Sequence, residues 1–329
     1  MERRDLICIG TSAGGVEALK KIASALPENL PAAVVVVLHL APDHRSALPH
    51  ILTGAGPLPA LHPKDQEPLS PGRIYIAPPD HHMLVEPGRL RLVRGAKENS
   101  HRPAVDPLFR TAAYNYGSRA IGTILTGALD DGTGGLLAIK QRGGTTVVQD
   151  PEDAFCPDMP RSALDYVKPD HIAKLSEIGP LLGRLAGGRV EGSHEVSPLL
   201  KDEAEIETLS PLHGHETVGM PSPFSCPACG GVLNEVHEAG TVRFRCRTGH
   251  GFTPETALVE QRVTIEGALW AALRALEEQA ELAHRMATRA RRQGSVHSAV
   301  RFEDRFEAAR KQADVLRRLL AVEAGPQVA

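Results

Sequence analysis

Aromatic residues are scarce: one Trp, four Tyr and seven Phe make up 4% of 329 residues. A stacking platform for single-stranded nucleic acid needs exposed rings, so that kind of surface is not expected. Surplus charge is missing as well, with 37 Lys+Arg against 40 Asp+Glu and a net charge of -3. Net charge therefore gives no grip on nucleic acid or on an anionic membrane. The longest apolar run, Ala32 to Leu38, falls far short of the roughly 20 residues of a membrane helix. The opening Met1-Glu2-Arg3-Arg4-Asp5 leads into too few apolar residues before Gly10 to act as a secretory signal. No membrane insertion and no nucleic-acid partner are expected, and a cytoplasmic setting follows, where thiols stay reduced. Five cysteines, three of them between positions 226 and 246, then suit a metal site better than a disulfide framework.

What is present is the material of folded domains, 42% hydrophobic and 23% charged residues. The first 180 or so residues alternate β-branched runs with helical stretches. Leu6 to Ile9 reads as a strand that opens at Gly10 into a helix carrying Val16, Leu19 and Ile22. Val34 to Leu38 reads as a strand buried on both faces, ending at His39. Ile121 to Thr126, a helix from Leu136 to Arg142, a Gly143-Gly144 break and a strand from Thr145 to Gln149 repeat the pattern. Between them, Ile74 to Ile76 reads as a strand flanked by turns, and Leu84 to Val93 as a hairpin around Pro87-Gly88. The fold class is α/β, a mostly parallel doubly wound sheet with helices on both faces.

Composition divides the rest. The α/β stretch runs 1–186; 187–222, rich in Gly, Ser, Pro and His, reads as a linker in which Ile206 and Leu209 could belong to a short element. A zinc-ribbon-like module is expected over 223–254, an antiparallel α-helical hairpin over 255–323 and a tail over 324–329. The hairpin has two seams with alternating steps of four and three. They are Ile265, Leu269, Ala272, Leu276, Gln279, Ala283 and Met286, then Phe302, Phe306, Ala309, Ala313, Leu316 and Leu320. Gln293-Gly294-Ser295 breaks the helix between them, and the pair either packs on itself or offers a face to a partner.

Three strand ends carry chemistry-bearing side chains. Gly10-Thr11-Ser12-Ala13-Gly14-Gly15 contains G-x-S-x-G where a strand turns into a helix, the context that lifts a nucleophilic hydroxyl above a sheet. The same glycine-rich turn also suits a phosphate loop, although it lacks G-x-G-x-x-G spacing and a Walker lysine. His39 ends the second strand and Asp131 follows the third in Thr126-Gly127-Ala128-Leu129-Asp130-Asp131-Gly132. Hydroxyl, imidazole and carboxylate at carboxyl ends of parallel strands are the parts of a serine hydrolase. Their order, Ser-His-Asp, differs from the Ser-acid-His of α/β-hydrolases.

Gly10 to Leu19 resembles the opening of the catalytic domain of CheB, the chemotaxis protein-glutamate methylesterase family. The resemblance continues through His39 with Pro42, Pro71 to Pro78, His101-Arg102-Pro103-Ala104-Val105-Asp106, Leu125 to Gly132 and Met159-Pro160-Arg161, covering about 4–180. It implies a serine esterase that hydrolyses glutamyl methyl esters on methylated chemoreceptor helices and deamidates glutamine at the same site. Ser12 would be nucleophile, His39 base and Asp131, the Asp directly before Gly, the orienting acid; no cofactor is needed. His101 and Arg102 match cleft or structural positions. Two departures bear on substrate fit: Ala128-Leu129 stands where the pattern has Met-Gly, and Pro42 lies one residue further from His39. Members as usually built start with a phosphoacceptor receiver; here the catalytic stretch opens the sequence, so regulation by phosphorylation within the chain is not expected.

The alternative from another class is an interaction module whose hairpin binds a receptor or signalling partner with little esterase activity. In the cysteine module, Cys226-x-x-Cys229 and Cys246-x-x-x-His250 are separated by sixteen residues, a knuckle pair that suits tetrahedral structural zinc. His237 is the other candidate for fourth ligand. Arg243, Arg245 and Arg247 alternate on an expected strand, a small basic patch that reads as a solvated face, with a nucleic-acid role for the ribbon as the rival reading. Cys8 is expected to be packed in its strand.

Overall fold

The computed structural model describes residues 2–40, 42, 46–208, 218–238 and 240–323. The chain divides into two units at Ala257/Leu258. In the first, the elements run β1 (Leu6–Thr11), α1 (Gly15–Ala25), β2 (Ala33–Leu38), α2 (Leu48–Ala55), β3 (Ala60–Leu61), β4 (Ile74–Ile76), β5 (His82–Glu86), β6 (Arg89–Val93) and α3 (Val105–Tyr116). They continue with β7 (Ala120–Ile124), α4 (Thr133–Gln141), β8 (Thr145–Gln149), α5 (Asp158–Tyr166), β9 (His171–Ala173), α6 (Leu175–Leu185) and α7 (Pro198–Thr208).

Seven strands form one sheet in the order β3-β4-β2-β1-β7-β8-β9, every pair parallel. The apolar runs feed both faces with period two. Ile7, Ile9, Val34, Val36, Ile74 and Ile76 pack toward the side that holds Leu19 and Ile22 of α1 and Leu182 of α6. Cys8, Val35, Val37 and Tyr75 pack toward α3, α4 and α5. The sheet is thus doubly wound, and Cys8 is fully buried in it, as the sequence suggests. Lone burial pushes the Cys8 thiol far above its ordinary range. The hairpin over β5 and β6 turns at Pro87-Gly88, with Gly88 at φ 76°.

One central helix, α3, was not read from the sequence. Nearly every residue of α3 is buried, because the β5–β6 hairpin, α4 and α7 cover what the sheet leaves open. In α3, Val105, Leu108, Phe109, Ala112, Ala113 and Tyr116 do keep helical spacing in the sequence, a stripe that the reading of the 101–106 motif passed over. The segment 187–222, read as a linker, contains α7, whose Leu200, Glu203 and Ala204 are buried. Four acidic or basic residues at 201–203 and 205 mask its short apolar face in the sequence, while Leu209 lies outside the described residues.

The cysteine module is a four-stranded sheet, β10 (Met220–Ser225), β11 (Val232–Glu238), β12 (Thr241–Cys246) and β13 (Gly251–Phe252), in sequential antiparallel order. Its core is Cys226, Leu233, Cys246 and Phe252 with Ala257, and it belongs to the same unit as the large sheet.

The helical hairpin is α8 (Pro254–Arg292) and α9 (Val296–Glu323), with Gly294 at φ 72° in the turn; from Leu258 on it makes up the second unit. The seam of α9 is the expected one, with Ala309, Ala313 and Leu320 buried. That of α8 shares Leu269, Leu276 and Ala283 with expectation but fills the alternate positions with Leu273, Ala280 and Ala287. Ala272 and Gln279 are exposed. Leu273 buries more apolar area than Ala272, and the alanines at 280 and 287 avoid burying the Gln279 amide.

Candidate active site

β2, β1 and β7 are neighbours at the centre of the sheet, and their carboxyl ends carry the three candidate residues. Chain direction reverses its progress at β1, with β2 on one side and β7 on the other, which opens a crevice at that rim. Ser12 sits between β1 and α1, and its N–H donates to the Thr126 carbonyl at 3.0 Å. Ser12 Oγ lies 3.1 Å from Nδ1 of His39, and His39 Nε2 lies 2.7 Å from Oδ2 of Asp131. Asp131, buried at 2% exposure, can only accept from the ring, which fixes the proton on Nε2 and leaves Nδ1 with a lone pair toward Ser12. Sequence reasoning placed these three residues together, and the structure brings them into one hydrogen-bonded row.

The Asp131 carboxylate is held on all sides. Oδ2 also accepts from the Val105 N–H at 2.6 Å, and Oδ1 accepts from Asn99 Nδ2 at 3.0 Å and from the Asp106 N–H at 3.3 Å. Two of these donors open helix α3, where the dipole favours negative charge. Burial pushes the carboxyl up, but the hydrogen bond and charge of His39, the Val105 amide and Asn99 outweigh it and hold Asp131 well below the ordinary carboxylate range. Its neighbours go the other way. Burial and the charge of Asp131 push Asp106 up to about 6, and burial pushes Asp130 up to about 7. Asp130 accepts from the Thr253 and Thr256 hydroxyls and does not reach His39, so Asp131 is the residue in line.

Two glycines let these elements meet. A Cβ on Gly10 would lie 2.3 Å from Val105 Cγ1, so only glycine lets the amino end of α3 reach Asp131. A Cβ on Gly127 would lie 2.0 Å from Met159 Sδ and 2.9 Å from Ser12 Cβ. Leu129, where the motif pattern has glycine, adopts φ 60°, a left-handed backbone that costs a leucine energy.

Asn99 and the ring of His101 are the site residues that the sequence reading missed or left open. His101 stacks on His39 with ring centroids 3.7 Å apart and planes at 10°, and its Nδ1 donates to the Asn99 carbonyl at 2.6 Å. Burial and the neighbouring His39 hold the His101 ring below the ordinary histidine range. Arg102 instead ties loops together, with its Nε donating to Asp80 at 2.9 Å. The motif around 101–106 marked this segment, but nothing in it signalled Asn99.

In the cysteine module, the ligand atoms of Cys226, Cys229, Cys246 and His250 all lie within 4.8 Å of one another. Cys229 and Cys246 sulfurs are 3.8 Å apart, and His250 Nδ1 is 3.5 Å from Cys246 Sγ and 3.8 Å from Cys226 Sγ. Sulfurs about 2.3 Å from a tetrahedral zinc would stand roughly 3.8 Å apart, so this donor set fits such an ion. His237 is exposed and pairs with Glu235 at 3.2 Å, away from the cluster.

The expected basic patch is not a solvated face. Arg243 and Arg245 are 7% and 6% exposed. Arg243 makes a fork on Glu203 at 2.8 and 2.9 Å, and Arg245 donates to Glu98 at 3.0 Å; Arg247 alone is exposed. Alternation along β12 put the first two on one face, and that face meets buried carboxylates of α7 and of the loop before α3.

Residues 7–182 match the family described as CheB methylesterase. A Leptospira interrogans protein that carries the protein-glutamate methylesterase/protein-glutamine glutaminase name is 37% identical over 188 residues, 57% of this chain and 97% of that protein. The Moorella thermoacetica protein-glutamate methylesterase/protein-glutamine glutaminase is 37% identical over 56% of this chain, which spans 45% of its length. Among solved structures, the catalytic domain of the Thermotoga maritima CheB methylesterase is similar with a TM-score of 0.54 and 34% identity, over 56% of this chain and all of that one.

Proposed function

The chain belongs to the CheB methylesterase family, and on that premise we propose that it hydrolyses glutamyl methyl esters on the cytoplasmic helices of chemotaxis-type receptors, with glutamine deamidation at the same site. The observation that carries the assignment to residues is the row Ser12 Oγ–His39 Nδ1 at 3.1 Å and His39 Nε2–Asp131 Oδ2 at 2.7 Å.

Ser12 Oγ attacks the ester carbonyl and its proton passes to His39 Nδ1. Asp131, hydrogen-bonded at Nε2, stabilises the imidazolium that forms. The backbone amides of the turn between Ser12 and α1, at Ala13 and Gly14, are the donors for the tetrahedral oxyanion, since the Gly15 N–H is bonded to the Ser12 carbonyl at 2.9 Å. Collapse expels methoxide, which takes the proton from His39 and leaves as methanol. Water, deprotonated by His39, then hydrolyses the glutamyl-Ser12 ester and restores the serine. With a glutamine side chain the same steps release ammonia.

No metal takes part in these steps. We assign structural zinc to Cys226, Cys229, Cys246 and His250; a shell of four protein ligands leaves no open position for substrate. The hairpin of the second unit, where Trp270 and Leu282 are 54% and 62% exposed, is the surface on which a signalling partner would dock. The test of the main reading is methanol release from methylated chemoreceptor helices. Release by the zinc-loaded chain, with ammonia from the glutamine forms, is expected; a folded chain that releases neither overturns it.

A further inference from the structure

The segment Glu98–His101 has two sides. On one it touches the cysteine module. The Asn99 N–H donates to the Gly251 carbonyl at 2.9 Å, the Thr253 N–H donates to Asn99 Oδ1 at 3.1 Å, and Glu98 accepts from Arg245 at 3.0 Å. Glu98 is anchored from the other direction by Arg110 of α3 at 2.6 Å. On the opposite side the segment touches the catalytic row, with Asn99 Nδ2 donating to Asp131 Oδ1 at 3.0 Å and the His101 ring stacked on His39 at 3.7 Å.

The amide of Asn99 makes this arrangement directional. Its oxygen must face the Thr253 N–H, since a carbonyl accepts and an amide nitrogen cannot, so its NH2 faces Asp131 and Asp106. An unattached Asn99 could turn its oxygen toward the carboxylates and repel them. Asn99 and Ser100 also sit at φ 48° and 66°. The turn closes on itself, with the His101 N–H donating to the Glu98 carbonyl at 2.9 Å and the Glu98 N–H to the His101 carbonyl at 3.2 Å, and Gly251 and Thr253 fix this turn and the Asn99 amide from the module side. Gly251 directly follows His250 of the cysteine cluster.

We propose that Asn99 and His101 are positioning residues of the triad and that the cysteine module, through Gly251, Thr253 and Arg245, sets their conformation, so that a module downstream in sequence completes the active site. This rests on the triad assigned above, and acts through Asp131 and His39 without touching substrate.

The test is the low-field proton NMR line of the His39 Nε2–H bonded to Asp131, recorded on the full chain, together with kcat and KM. Asn99→Ala is expected to displace that line and lower kcat on the order of tenfold, with KM little changed. Gly251→Val, a change in the cysteine module whose Cβ would meet Glu98 at 3.0 Å, is expected to displace the line in the same direction. The double variant should match Asn99→Ala alone, because both act through one contact. A line that stays in place in folded Asn99→Ala or in folded Gly251→Val overturns the proposal, as does additivity in the double variant. Should Asn99→Ala not fold, Gly251→Val with Arg245→Met decides the matter by the same line. The NMR reading needs no substrate, so a failure of the esterase reading shows as absent methanol release with the line and its displacements intact.

Discussion

Asp131→Asn removes one charge and keeps the shape of the side chain, and its effect can be worked from the contacts. Each carboxylate oxygen takes two donors: Oδ2 those of His39 and Val105, Oδ1 those of Asn99 and Asp106. An amide accepts at one oxygen only, so its NH2 must face two donors in either orientation. With the NH2 toward His39, the ring can only accept at Nε2, its proton moves to Nδ1, and Nδ1 can no longer take the proton of Ser12. With the NH2 toward Asn99, two buried donors oppose each other and the imidazolium loses its counter-charge. Loss of tautomer and charge together is expected to lower kcat on the order of 10⁴-fold, about 5 kcal/mol in the barrier. The assay is methanol release under saturating substrate, with circular dichroism to show that the variant is folded. Asp130→Asn, at a carboxyl that faces Thr253 and Thr256, is expected to turn over like the wild type. A folded Asp131→Asn within about tenfold of wild type would refute the reasoning.

Further outcomes follow from the same contacts. Glu203→Ala leaves the buried Arg243 guanidinium with Glu238 as its carboxylate at 3.1 Å and is expected to cost about 3 kcal/mol in denaturant unfolding, while Glu203→Leu with Arg243→Met costs less than the single change. Glu203 is held down to about 2 because Arg243, Arg110 and Arg245 outweigh its burial, so its contribution, about 3 kcal/mol, is present above the unfolded pKa near 4.5 and lost as pH falls toward 2. Asp106, pushed up to about 6, keeps a proton that the unfolded chain has released, so its contribution falls as pH rises from about 4 to 6. Denaturant unfolding across pH checks each group through its isostere: Glu203→Gln is expected to lose less stability than the wild type as pH falls from about 4.5 toward 2, and Asp106→Asn less as pH rises from about 4 to 6; variants that track the wild type would contradict these contributions. Leu129→Gly, which relieves φ 60°, is expected to raise stability by about 1 kcal/mol. Zinc analysis is expected to find one ion per chain, lost when Cys226 and Cys229 are replaced by serine; a wild type without metal contradicts the assignment.

The triad was legible because strand ends carry it. Each of Ser12, His39 and Asp131 directly follows or closely trails an apolar run, and a run that ends at a functional residue shows in one dimension. Asn99 was not legible, since its role comes from a partner 154 positions away, Thr253, across a contact with no periodicity. α3 was missed for a different reason: its stripe, Val105, Leu108, Phe109, Ala112, Ala113 and Tyr116, is in the sequence, but its first residues were read only as part of the 101–106 motif. The arginines of β12 were placed on the right face, but whether that face meets water or Glu203 depends on tertiary packing. In α8, two heptad seams share three positions, and only the packing against α9 selects the one through Leu273.

The most direct test of the central claim separates chemistry from binding at Ser12. Methanol release and affinity for methylated chemoreceptor helices are measured side by side for the wild type and Ser12→Ala. Removal of one hydroxyl is expected to abolish release, by at least about 10³-fold, with affinity unchanged. Release that persists in Ser12→Ala would contradict the account.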